Sequence, residues 1–136
     1  MQSYAYVAIV TLVALLVYVW MGIGVGGARR KSGISAPAMT GDPLLERAIR
    51  VQMNTLEWLP IFLPSLWLFH LFWTPQDPSG RIAAAIGAVW IVGRVLYALG
   101  YVKDPAKREL GFTIQALAAA VLLFGALGKA VWILLA

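Results

Sequence analysis

The chain has 136 residues, 61% of them hydrophobic and 12% charged, with a mean hydropathy of +0.80. A soluble domain carries about 25% charged residues, so the composition describes a single all-α integral membrane domain over 1–136, with no separate soluble domain. No cysteine means no disulfide, thiolate metal site or catalytic cysteine; one histidine excludes a His-rich metal centre; and the net charge of +5, gathered in two short loops, reads as membrane topology and not as nucleic-acid binding.

Met1 to Ala28 contains no charged side chain. Tyr4 to Val25 is long enough to cross about 30 Å of hydrocarbon, and it lacks the basic n-region and short apolar core of a signal peptide. An uncleaved first helix is expected over 4–28. Its glycine-rich end, Gly22 to Gly27, reads as a surface for close packing against a neighbouring helix. A phosphate loop is disfavoured, because no strand precedes it and no Lys-Ser/Thr follows.

Arg29, Arg30 and Lys31 come next, followed by a polar loop that ends at Asp42-Pro43. The Asp-Pro pair recurs at Asp77-Pro78 and Asp104-Pro105, each ahead of an apolar run. Aspartate satisfies orphan amides at a helix start, and proline loses no hydrogen bond in the first turn. Three further helices are therefore expected over 43–72, 78–102 and 105–135, giving a four-helix membrane bundle.

The second helix carries the densest polar set. Arg47, Arg50, Asn54 and Glu57 fall within an arc of about 80°, with Gln52 on roughly the opposite side. The helix is longer than the bilayer core, so its first turns project beyond the hydrocarbon. Pro60 and Pro64 are expected to bend it without ending it. Towards its far end, Trp67, Trp73 and His70 read as interfacial anchors and a satisfied surface histidine. On the third helix Arg94, Tyr97 and Tyr101 share a stripe. Arg94 lies about 20 Å from Arg81 and Glu57 about 23 Å from Phe72, which suggests an Arg94–Glu57 interaction, direct or through one bridging group. Lys129, near the end of the fourth helix, is expected to snorkel. Loops 1 and 3 hold the basic residues and are expected in the cytoplasm, with both termini on the other side.

The strong polar groups thus gather at one membrane face. Arg29 and Arg30 end the first helix, and Arg108 opens the fourth. The excess is cationic, with Glu57 beside it. Such a pocket suits a small, multiply charged anion that also bears an ammonium, next to apolar walls for a greasy second substrate.

The stretch ERAIRVQMNTLEWLPIF resembles the second-helix signature of the membrane-associated proteins in eicosanoid and glutathione metabolism, the MAPEG family. GRVLYALGYVKDPAKRELGF is similar to its third and fourth helices, and the likeness is to a microsomal glutathione transferase-like member of bacterial type. The resemblance implies a homotrimer with glutathione as cosubstrate, bound between subunits near the cytoplasmic face. It implies that Arg50, Asn54, Glu57, Tyr97 and Tyr101 bind glutathione and that Gln52 does so from the adjacent subunit. Arg29 and Arg30 match the arginine pair ending the first helix. Arg108 matches the arginine proposed to activate the thiol, with Arg30 as its competitor, and Arg94 is added to the binding set from its place on the stripe. Trp58, Met53 and Glu109 depart from particular branches and argue against assigning an eicosanoid product. The expected activity is transfer of glutathione to hydrophobic electrophiles, or reduction of lipid hydroperoxides. The alternatives are a non-catalytic lipid-presenting protein of the same family and a small transporter subunit.

Overall fold

An Asp-Pro pair sets an acceptor for orphan amides directly ahead of a residue that has no amide to lose. A computed structural model describes the whole chain, Met1–Ala136, and shows what each pair does. The helices are α1 (Gln2–Ser32), α2 (Pro43–Trp73), α3 (Arg81–Lys103) and α4 (Glu109–Leu135), with a 3-10 turn, Pro105–Arg108, feeding α4. Asp42 accepts from the Leu45 amide at 2.9 Å and opens α2. Asp104 accepts from the Ala106 amide at 3.0 Å and opens the 3-10 turn. Asp77 also caps, but across a turn. Its carboxylate takes the amides of Arg81, Ile82 and Ala83 at 3.0, 2.9 and 3.2 Å. α3 therefore starts at Arg81 and not at Pro78, and Gly80 closes the intervening turn with φ +72°. α1 extends beyond the expected 4–28 at both ends.

All four helices are long and apolar enough to cross a membrane, which makes the protein an integral, multi-pass one. α2 continues unbroken through Pro60 and Pro64. α1 packs on α2 and α3, α4 packs on the same two, and α2 meets α3 across the middle. The core is centred on Phe62 of α2 and Trp90 of α3, whose rings stack 3.9 Å apart with planes 2° from parallel. α3 and α4 approach most closely at Gly93 and Gly111. A Cβ on Gly93 would come within 2.6 Å of the Gln115 amide nitrogen, and one on Gly111 would overlap that of Tyr97.

The end of the bundle away from the basic loops corrects one expectation. His70 is not a surface histidine: it is 1% exposed, with neither ring nitrogen hydrogen-bonded. The turn at Gly80 folds over it so closely that a Cβ there would lie 2.9 Å from the imidazole. The tryptophans nearby are tied to other helices. The Trp67 indole donates to Thr11 Oγ1 at 3.0 Å and the Trp73 indole to the Gly125 carbonyl at 3.1 Å. Lys129 Nζ sits 4.9 Å from the Trp73 ring centroid, so its charge rests on an aromatic face.

Candidate active site

The polar residues of α2 divide by depth from the core. Arg50 and Glu57 lie two turns apart on its outer face, joined by an ion pair of 3.2 Å, with side chains 48% and 55% exposed. Asn54 lies between them. Glu57 is about 24 Å along the helix from Trp73, within the thickness of a hydrocarbon core. A carboxylate at that depth does not face lipid without cost, and Arg50 is the partner it has here.

Arg94 lies beneath Asn54. It is fully buried, and its Nη2 donates to Asn54 Oδ1 at 3.0 Å and Thr55 Oγ1 at 2.7 Å. The Thr55 hydroxyl in turn donates to the Val51 carbonyl at 2.9 Å. The Arg94 guanidinium also lies 4.3 Å from the Tyr97 ring centroid. No direct Arg94–Glu57 pair forms, because Glu57 is engaged by Arg50 on the outer face while Arg94 points inward. Asn54 and Thr55 are the acceptors instead.

From Tyr97 the strip continues along α3. Tyr97 and Tyr101 have ring centroids 5.6 Å apart, and the Arg108 guanidinium stands 5.7 Å from the centroid of Tyr101. Arg108 keeps this position although Pro105 interrupts the helix, because the 3-10 turn folds back on Gly100. A Cβ at Gly100 would overlap the Lys107 carbonyl, so the fold-back needs glycine. Arg47 secures the same corner by donating to the last α3 carbonyls, Val102 and Lys103, at 3.4 and 3.1 Å. Phe112 borders the strip with its centroid 5.8 Å from Trp58 and 6.3 Å from Tyr97, giving the polar groups an apolar rim.

Arg50, Asn54, Glu57, Arg94, Tyr97, Tyr101 and Arg108 are thus brought to one side of the bundle. Gln52, Arg29 and Arg30 are not. Gln52 lies against Gly22 of α1, where a Cβ would be 3.0 Å from its Nε2. Arg29 donates to the Ile34 and Ala38 carbonyls at 3.3 and 2.7 Å and so folds loop 1 back on the helix end. Arg30 is exposed and unpaired. α1 and α4 each pack on α2 and α3 and not substantially on one another, which separates these three residues from Arg108. Sequence reasoning missed Thr55, which is fully buried and accepts from Arg94. The available signal was general: a polar side chain inside an apolar span, next to a buried arginine that needs acceptors.

The MAPEG family model matches residues 7–128. The chain belongs to the MAPEG family. It is 38% identical to human microsomal glutathione S-transferase 2 over 112 residues, covering 82% of this chain and 73% of that protein. It is 35% identical to bovine leukotriene C4 synthase over 104 residues, covering 76% of this chain and 66% of the synthase. An uncharacterised protein of Synechocystis sp. is 46% identical over 125 residues, 92% of this chain and 88% of its own. The strip from Asn54 to Arg108 lies within the matched residues.

Proposed function

We propose that this protein is a membrane glutathione transferase, with peroxidase activity towards lipid hydroperoxides, working as a homotrimer whose sites lie between protomers. The observation that carries the reading is the strip itself. Arg50, Arg94 and Arg108 supply positive charge, Glu57 supplies one carboxylate, and Asn54, Tyr97 and Tyr101 supply hydrogen bonds on the same side of the bundle. Glutathione carries two carboxylates, an ammonium and a thiol, and each has a partner in that set. The relatives named as a glutathione transferase and a leukotriene C4 synthase support the same class of chemistry.

In this reading Arg50 receives a carboxylate, Glu57 the ammonium, and Asn54 with the tyrosines the peptide groups. Gln52 contacts the peptide bound to the next protomer, which accounts for its place on the α1 side. Arg29 braces loop 1. Arg30 reaches a neighbouring protomer's site. Arg94 acts from beneath by holding Asn54. Arg108 stands beside the sulfur. A free thiol is only a few per cent thiolate at neutral pH. A guanidinium at the sulfur favours the anion, and lowering a thiol pKa by two units takes about 2.7 kcal/mol. The thiolate attacks an electrophilic carbon or the terminal oxygen of a hydroperoxide. The acceptor lies along the rim formed by Trp58 and Phe112. Loops 1 and 3 face the cytoplasm, where glutathione is met, and the termini lie opposite.

The test is thiolate absorbance on mixing purified protein with glutathione, for the wild type and Arg108→Ala. The wild type gives a thiolate signal at neutral pH. Arg108→Ala still binds glutathione, loses that signal, and regains part of its turnover as pH is raised. A normal signal in Arg108→Ala would remove Arg108 from the role. No signal in the wild type would remove the activity.

A further inference from the structure

The glycines at the end of α1 do less packing than their pattern promises. Gly22 is pressed against Gln52, but a Cβ on Gly24 or Gly27 would meet nothing within 4 Å. Here α1 and α3 part as they approach loops 1 and 3, and the gap is a groove of about 430 Å³. Gly24, Gly27 and Ala28 form one wall, Ala98 and Leu99 of α3 the other, and Ala48 and Val51 of α2 the back. Trp20 closes the deep end. Lys31 and Lys103 stand at the mouth, and neither is in an ion pair.

The dimensions and the charge point to one kind of occupant. Trp20 and Lys31 are eleven residues apart on α1, which is about 16 Å, or half of a hydrocarbon core of about 30 Å. The groove therefore runs from one headgroup level to the middle of the bilayer, the reach of one acyl chain. Two exposed, unpaired ammoniums at the headgroup end favour an anion there. A second copy of the chain has little to offer them. Its net charge is +5; Asp42, Asp77 and Asp104 cap helix or turn starts and Glu57 is held by Arg50, which leaves Glu46 and Glu109 as its free side-chain carboxylates.

We propose that this groove seats an anionic phospholipid, one acyl chain lying along Gly24 and Gly27 and the phosphate held between Lys31 and Lys103. The site is separate from the polar strip, and the proposal does not depend on the glutathione reading. It gives the glycines a role as the floor of a lipid seat.

The test is native mass spectrometry of the protein released from mixed micelles containing phosphatidylglycerol and phosphatidylcholine in equal amounts. The variants are Lys31→Glu/Lys103→Glu and Gly27→Leu, the latter filling the groove with a good helix former. The wild type retains phosphatidylglycerol in preference. The double charge reversal lowers that retention by roughly 10- to 30-fold and abolishes the preference. Gly27→Leu loses both lipids while the protein keeps its oligomeric mass. Unchanged phosphatidylglycerol retention in both variants would overturn the proposal. So would a lower oligomeric mass in Gly27→Leu, which would make the groove an interface between copies. Displacement of phosphatidylglycerol by equimolar oleate would overturn it too, by assigning the seat to free fatty acids.

Discussion

A guanidinium buried in a membrane is costly unless other groups share its charge. Arg94 has no carboxylate at ion-pair distance; it has Asn54, Thr55 and the face of Tyr97. These contacts fix Asn54 from below and leave its amide nitrogen free for the open side of the strip. Arg94→Met should therefore raise the KM for glutathione, by about tenfold for one lost charge-assisted contact, with a smaller change in kcat. Arg94→Lys should restore part of the affinity, because an ammonium can still reach one acceptor. A fall in thermal midpoint with an unchanged KM would make Arg94 purely structural. The Arg50–Glu57 pair is a different case. Half-exposed ion pairs contribute little to folding, so Arg50→Ala and Glu57→Ala should melt near the wild type. Each should nonetheless bind glutathione more weakly by about 1.5–3 kcal/mol, measured by calorimetry. Unchanged affinity in both would take the outer face of α2 out of the site.

Among the elements, the closest approach is α3 on α4. Gly111→Ala puts a methyl group into the Tyr97 backbone, so the helices must separate and carry Tyr97 and Arg108 apart. Overpacking of this kind costs about 1–3 kcal/mol, and the thermal midpoint and turnover should fall together. Gly26→Ala, outside the lipid groove, is the control: its methyl meets open space, and alanine is the better helix former by about 1 kcal/mol. It should be neutral or slightly stabilising. An equal loss in both variants would mean that glycine serves the backbone here and not the packing. This contrast marks what the sequence could tell. Hydropathy and the Asp-Pro pairs were enough for four spans and the start of α2, because those signals are local. The start of α3 was placed three residues early, since Asp77 caps across a turn that only Gly80 closes. His70 was misjudged for the same reason: its burial depends on that turn folding back. The stripe of Arg94, Tyr97 and Tyr101 was legible from spacing, but its acceptor Thr55 was not, because it sits 100° round the helix from Asn54. A glycine pattern says that something can come close, and leaves open whether it is a helix or a lipid.

In the whole molecule, a single chain keeps the candidate site residues on two separate surfaces. The strip ends in a half-exposed ion pair at membrane depth, while Arg30 and Gln52 lie on the α1 side, across α2 and α3 from Arg108. If sites form between protomers, these two surfaces meet, and Arg30 of the partner subunit completes a strip that begins with Arg50. That arrangement has a genetic signature. Arg30→Ala and Arg108→Ala should each have low turnover when expressed alone, since every site lacks one of the two arginines. Co-expression mixes them. In a cyclic trimer a site is whole when an Arg30→Ala protomer supplies Arg108 and its neighbour, an Arg108→Ala protomer, supplies Arg30. Random assembly makes about a quarter of the sites whole, so turnover should recover towards that share of the wild type. Mixing the purified variants without subunit exchange should recover nothing, which separates shared sites from a simple sum of two weak enzymes. If co-expression gives only the average of the two single variants, Arg30 and Arg108 act within one protomer or Arg30 has no part in the chemistry. Full activity in Arg30→Ala alone would decide for the latter.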